Sequence, residues 1–330
     1  MIGPGPAEAV ELFAPARIHL GFLDLHGGLG RKFGSLGLTI EDIGVRLRLE
    51  LGPKVRTEGP SAERADQFLA RACTALGVTM GHRLEIASAI PPHVGLGSGT
   101  QLGLAVAAAL AKLHGIETST AALAVAMDRG TRSGVGIGAF DRGGFLVDGG
   151  RRAGGGSAPI IARFDVPKDW HILLTFDGAR NGLHGAAEQA AFAALPPFDE
   201  ATASRLCRLL VMRLLPGIAE ADFDAASEAI AEIQSHIGRH FQPVQEGLYS
   251  SAAVAEVQGW LRERGVFGLG QSSWGPTGFA LIRSAEQGQH LLEETRKRFG
   301  DKKSLQFRLV ACRNRGAEIR LLKRTESRTP

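Results

Sequence analysis

At 330 residues the chain exceeds one ordinary hydrophobic core, and a 44% apolar share supplies material for two. Its 38 basic against 34 acidic residues leave a net charge of +4 with no basic run interleaved with aromatics, so nucleic acid is not an expected partner while an anionic small molecule is compatible. Cys73, Cys207 and Cys312 are too few and too scattered for a disulfide framework or a zinc site, and neither a leader pattern nor a bilayer-length apolar stretch is present, so a cytoplasmic protein with no membrane partner is expected.

In chain order, residues 16–31 mix charge with core. Arg17, His19 and Asp24 stand where a simple buried strand would carry valine or leucine, and burying such groups is costly unless they are paired. A structural Arg–Asp pair and a functional cluster are both open readings; the glycines that follow, and the run Gly34-Ser35-Leu36-Gly37-Leu38, place a close-approach loop beside those charges. Alternation of Val45, Leu47, Leu49 and Leu51 with Arg46, Arg48 and Glu50 predicts a half-buried strand, and 83–89 predicts another. A helix is expected from Ser98 to His114-Gly115, a second over 118–129, and a strand over 143–148. The glycine-rich run 149–156 resists regular structure, so a lobe boundary is placed there, giving lobes 1–155 and 156–330; a hairpin tip is the competing reading. Beyond it, 171–176 reads as a strand, 199–215, 221–237 and 249–264 as helices, 278–283 as a strand, 285–299 as a helix and 305–311 as a strand, with a frayed tail over 323–330. The order is that of an α+β protein.

Residues 91–100, Pro-Pro-His-Val-Gly-Leu-Gly-Ser-Gly-Thr, run into the almost wholly apolar segment that begins at Gln101. Gly95, Gly97 and Gly99 permit tight turning and close ligand approach, and the first N–H groups of the helix lack intrahelical acceptors. With the helix dipole they form an anion site, to which Ser98, Thr100 and Gln101 would add polar groups. Capping by Ser98 or Thr100 needs fewer special residues than this loop spends. No Gly-Lys-Ser/Thr follows, which excludes a Walker loop, and the dinucleotide fingerprint lacks its third glycine.

The loop resembles the Pro-x-x-x-Gly-Leu-Gly-Ser-Ser-Ala signature of the GHMP superfamily of small-molecule kinases, with Gly99 and Thr100 departing from Ser-Ala. The opening motif Arg17-x-His19-x-Gly21-Phe22-x-Asp24-Leu25 with Gly34-Ser35-Leu36-Gly37-Leu38 looks like that of the β-ribofuranosylaminobenzene 5′-phosphate synthases, which share this fold without being kinases. The runs 132–140 and 143–145, His184-Gly185-x-x-Glu188 and Gln271-Ser272-Ser273-Trp274-Gly275-Pro276-Thr277 fit the same family. The resemblance implies two lobes: an N-terminal one with a mixed sheet and the phosphate-loop helix, and a C-terminal one of ferredoxin-like α/β form. Ser133-Gly134-Val135-Gly136 puts glycine where kinase members carry a carboxylate base, so a hydroxyl nucleophile would lack its proton acceptor.

The implied reaction joins 5-phosphoribosyl 1-diphosphate to 4-aminobenzoate, releasing diphosphate and carbon dioxide, in the synthesis of methanopterin-type cofactors. On that resemblance Asp24, His19 and Arg17 are the catalytic candidates. Asp24 would stabilise the ribosyl cation, His19 orient the aromatic substrate or manage a proton, and Arg17 grip a carboxylate or phosphate. Ser35, Arg132, Ser272, Ser273 and Trp274 are substrate-binding candidates. Mg²⁺ is the expected cofactor, with Ser98 and Glu188 as its candidate ligands. A homodimer is compatible with the family. An ATP-dependent small-molecule kinase and a non-catalytic nucleotide or phosphate sensor are the alternative readings.

Overall fold

A computed structural model describes residues 8–152, 154–180, 182, 185–245 and 247–322, with the side chains of 185–189 outside that description. The expected fray at 323–330 and the candidate His184 lie outside the described residues.

The first lobe is organised by one long antiparallel hairpin, β1 (Ala9–Asp24) and β2 (Arg31–Leu51). Both faces of β1 are buried, so its residues show no period-2 alternation. Two bulges, between Pro15 and Arg17 and between His19 and Gly21, re-aim its side chains at the point where charge interrupts the apolar run. There follow β3 (Arg56–Glu58), α1 (Ala62–Leu76), β4 (His82–Ser88), α2 (Ser98–Leu113), α3 (Thr120–Ala126) and α4 (Val135–Asp141), then β5 (Phe145–Asp148), β6 (Arg151–Arg152) and β7 (Ile160–Phe164). β2 pairs with β4, β5 and β6, and β3 joins β4 in parallel, so the sheet is mixed as expected. α2 is buried on nearly every side because residues 102–111 offer no polar face; it lies between the sheet and α1.

β5 and β7 pair with each other, so the glycine run 149–156 connects two strands of one sheet, and the hairpin reading matches it. The lobe boundary expected at 155/156 therefore falls inside the first sheet; the chain changes sheet between β7 and β8 (His171–Asp177).

The second sheet has the order β11–β8–β10–β9, formed with β9 (Leu269–Gln271), β10 (Thr277–Ile282) and β11 (Leu305–Ala311). Counted within the lobe this is 4-1-3-2 with helical connections, a ferredoxin-like βαββαβ arrangement. Its helices are α5 (Gly185–Ala194), α6 (Glu200–Leu209), a π-helical turn at Leu210–Leu214, α7 (Leu215–Ala219), α8 (Phe223–Gln245), α9 (Ala252–Glu263) and α10 (Ala285–Phe299). Leu173, Val257, Leu261, Ala280 and Leu292 form a core between this sheet and α9–α10. β12 (Glu318–Leu322) returns to the first sheet beside β1, tying the lobes covalently at a second point. Among the described residues no helix is long and apolar enough to cross a membrane, and the three cysteines are free.

Candidate functional site

The loop between β4 and α2 is built by its glycines in three different ways. Gly97 is the N-cap of α2 in the left-handed region at φ 83°, and no side chain caps the helix. Gly95, at φ 88°, passes so close to the second lobe that a Cβ would lie 2.1 Å from the Ser272 carbonyl oxygen. Gly99 faces the Arg64 and Arg129 guanidiniums. The first intrahelical bond is Gln101 N–H to Gly97 O, and among the described residues no acceptor takes the N–H of Ser98, Gly99 or Thr100. These are the open amides an oxyanion needs.

Arg17 supplies charge at the same point. Its Nη1 donates to Gly95 O at 2.7 Å, its Cζ would lie 3.2 Å from a Cβ on Gly97, and its Nε is buried without an acceptor. Among the described residues it has no carboxylate partner, so the structural Arg17–Asp24 pair is not formed. Burial pulls Arg17 down to about 10, which leaves it cationic at neutral pH.

His19, one bulge further along β1, is clamped by the second lobe. Its N–H donates to Ser272 Oγ at 3.0 Å, and its carbonyl accepts from Ser273 N–H at 3.1 Å. Nδ1 accepts from Gly21 N–H at 3.2 Å, which puts the ring proton on Nε2. Burial, then the Arg17 charge, push His19 down to about 3. His19 is therefore a neutral donor at physiological pH, suited to orienting a substrate and not to shuttling a proton.

His19 lines a cleft of about 920 Å³, mouth included, between β1, α8 and the turn after β9. Its inner wall is aromatic: Phe22 packs on His19 with centroids 4.8 Å apart, and Phe192 on Trp274 at 4.5 Å. Phe241 closes the group 4.7 Å from Trp274. Trp274 thus both plugs its turn and walls the cleft. Gln234, Gln271, Tyr249 and Arg262 also line it, and none of the described lining residues is acidic.

Other candidates sit elsewhere. Asp24 does not line the cleft; its Oδ1 accepts from Gly27 N–H at 2.8 Å and so caps the β1–β2 turn, seven residues along an extended strand from Arg17. Ser35 is fully buried in β2, where its N–H donates to Asp148, so a substrate does not reach it. Ser272 is equally buried and acts as a strut, its Oγ taking the His19 N–H and donating to Gly95 O at 2.8 Å. Gln101 turns away from the loop, its Nε2 donating to Gly136 O at 2.8 Å. Ser273 does line the cleft. Arg132 lies with its Cζ 4.9 Å from the Phe192 ring centroid, which holds it beside the aromatic wall. The Thr100 methyl faces Gly136, where a Cβ would come within 3.0 Å. Gly136 is therefore pressed against the glycine loop and brings no charge to it.

Asp148 is a functional-region residue that sequence reasoning missed. It is buried, accepts from the N–H groups of Ser35, Gly134 and Gly150 and from Ser133 Oγ, and so fixes the segment leading to Gly136. Burial raises its pKa and the four donors lower it again, with burial the larger effect. Arg64 and Arg129 were missed too, since nothing in their local sequence marks them as neighbours of the loop.

For Mg²⁺, the Ser98 hydroxyl stands on the loop, as does that of Thr100; the Glu188 side chain lies outside the described residues, and among those described no cluster of three metal-binding side chains occurs. The surrounding arginines would repel a bare cation. The described donors would fit Mg²⁺ as an ion carried by phosphate oxygens and waters, with Ser98 within its candidate ligand set.

The family models described as "GHMP kinases N terminal domain" and "GHMP kinases C terminal" match residues 63–144 and 214–301. A protein from Archaeoglobus fulgidus named beta-ribofuranosylphenol 5′-phosphate synthase is 32% identical over 94% of this chain and 99% of its own length. One of the same name from Methanocaldococcus jannaschii is 33% identical over 81% of this chain and 88% of its own. A homoserine kinase structure from Cytophaga hutchinsonii superposes with a TM-score of 0.62 at 18% identity, covering 97% of this chain and all of that one. Mevalonate diphosphate decarboxylase from Staphylococcus aureus gives 0.61 at 15%, covering 95% and 98%. These two likenesses show the fold alone.

Proposed function

The chain belongs to the β-ribofuranosylphenol 5′-phosphate synthases, on the GHMP-kinase fold, and from that premise we propose that it transfers the phosphoribosyl group of 5-phosphoribosyl 1-diphosphate to a para-substituted benzoate in methanopterin-type cofactor synthesis. The relatives' name contains a phenol, whose ring carries a hydroxyl, and the acceptor expected from the resemblance carries an amine. Either releases electrons into the ring.

The observation that carries the reading is the meeting of two unlike surfaces at His19. On one side stand open amides and a half-buried arginine that, among the described residues, meets no carboxylate; on the other, an aromatic-walled cleft with no carboxylate among its described lining residues. The first suits a polyphosphate leaving group, the second a flat electron-rich acceptor. Rupture of the anomeric C–O bond sends its electron pair to diphosphate, whose charge the Ser98–Thr100 amides and Arg17 take up. The ring carbon bearing the carboxylate attacks the ribosyl cation, and loss of carbon dioxide returns the C–C bonding pair to the ring. No step requires an enzymic base, in keeping with Gly136 and with a neutral His19. His19 Nε2–H and the rings of Phe22, Phe192 and Trp274 orient the acceptor, and ring faces offer negative potential toward the cation. Mg²⁺, when bound with the diphosphate, would neutralise part of its charge.

The test is product structure. Incubation with phosphoribosyl diphosphate and 4-hydroxybenzoate or 4-aminobenzoate is expected to yield an aryl ribosyl phosphate whose ring–sugar link survives acid, as a carbon–carbon bond does. An acid-labile glycoside, or an ATP-dependent phosphorylated product, would reject the reading.

A further inference from the structure

Gly97 and Gly99 lie on roughly opposite sides of the start of α2, two residues apart at 3.6 per turn. Arg17 stands on the Gly97 side, where its guanidinium would lie 3.2 Å from a Cβ on Gly97. On the Gly99 side a Cβ would lie 3.1 Å from Arg64 Nη2 and 3.6 Å from Arg129 Cζ, so two guanidiniums flank the same open amides. Arg129 is held there by Phe68, 5.2 Å from its Cζ to the ring centroid, and Phe68 is itself wedged against Gly103 of α2. Its Nε is buried and has no acceptor. Among the described residues neither Arg64 nor Arg129 has a carboxylate in ion-pair range, although Asp128 exerts some attraction on Arg129. Burial, then the Arg64 and Arg71 charges, bring Arg129 below the usual arginine range. Three like charges converging on unfilled amides are unfavourable until an anion joins them.

We infer that Arg64 and Arg129 form a second phosphate subsite on the outer face of the first turn of α2, which grips the distal phosphate of the diphosphate while Arg17 and the loop amides hold the phosphate nearer the ribose. Two guanidinium forks and an amide row can take oxygens of two adjacent phosphates, which a single phosphate would leave half used. The substrate's identity rests on the proposed function; the subsite itself does not.

The probe is inorganic pyrophosphate, titrated calorimetrically into the whole protein. Wild type is expected to bind it, R64A and R129A each to lose about tenfold in affinity, and R64A/R129A more, as expected for loss of charge-assisted hydrogen bonds. R48A, which removes an exposed arginine on β2, should match wild type. Orthophosphate should discriminate poorly between wild type and the double variant. In turnover, KM for phosphoribosyl diphosphate should rise while KM for the aromatic acid stays put. Wild-type affinity in R64A/R129A, or no pyrophosphate binding by wild type, overturns the inference. Should R129A fail to fold, R64A and R129K decide it, and wild-type affinity in both rejects it. Pyrophosphate binding that depends on these arginines in a protein that releases no carbon dioxide would keep the subsite and reject the synthase reading.

Discussion

Replacing Arg17 with methionine separates binding from folding, because the two effects should have opposite or unequal signs. Burial brings the Arg17 pKa down to about 10, which corresponds to about 3 kcal/mol against the charged form in the folded protein. Against that stands one charge-assisted hydrogen bond, to Gly95 O at 2.7 Å, worth about 1.5–3 kcal/mol. Gly95 O keeps the Ser272 hydroxyl at 2.8 Å when Arg17 is gone, so no acceptor is orphaned. Methionine retains most of the apolar stem. The two terms nearly cancel, and R17M should therefore fold with a stability within about 1 kcal/mol of wild type, or above it. Pyrophosphate affinity should meanwhile fall by about 10–100-fold if this guanidinium meets the anion as proposed. Denaturant unfolding and calorimetry on the same preparation read both numbers. A loss of more than about 2 kcal/mol in stability with unchanged pyrophosphate affinity would show that Arg17 is a structural post and refute the reasoning.

Gly97→Val should abolish phosphoribosyl diphosphate binding, because a β-branched residue resists φ 83° and would abut Arg17; calorimetry reads it, and retained affinity would remove the loop from the site. Gly136→Asp should not create a kinase and should cost about 1–3 kcal/mol, since its Cβ would meet the Thr100 methyl at 3.0 Å; ATP consumption and thermal melting check the two parts. With His19 near 3, its titration should leave no inflection in log kcat/KM between pH 5.5 and 8, and His19→Gln, which keeps a donor, should retain far more activity than His19→Phe. His19, His82 and His114 all have folded pKa values lowered by burial, so the unfolded chain binds more protons below its own histidine pKa near 6.5. Their contribution to stability is complete above that pH and is lost as pH falls from there toward the folded values; unfolding free energy at pH 7 and pH 5 should show the decline.

Much of the fold was legible because its signals are local. The glycine loop, α2, β4 and β11 fall where alternation and the left-handed glycines place them. α1 carries the same kind of local signal, with Ala65, Phe68, Leu69 and Ala72 at helical spacing. β1 was not legible, because a strand buried on both faces loses its alternation, and its bulges set Arg17 and His19 out of phase with their neighbours. At the site, Arg17 and His19 were marked by charge within an apolar run. Asp24 carried the same mark for a different reason, a turn cap, and sequence cannot separate the two. The aromatic wall comes from β1, α5, α8 and the turn after β9, so no window of the chain contains it. Arg64 and Arg129 meet only because α1 and the segment after α3 pack on α2.

The most direct measurement counts carbon dioxide and pyrophosphate together. With carboxyl-labelled 4-hydroxybenzoate or 4-aminobenzoate, phosphoribosyl diphosphate and Mg²⁺, one mole of labelled gas should appear per mole of pyrophosphate, and both should vanish in Gly97→Val. Pyrophosphate released without labelled gas, or gas released without the phosphoribosyl donor, would contradict a coupled decarboxylating transfer.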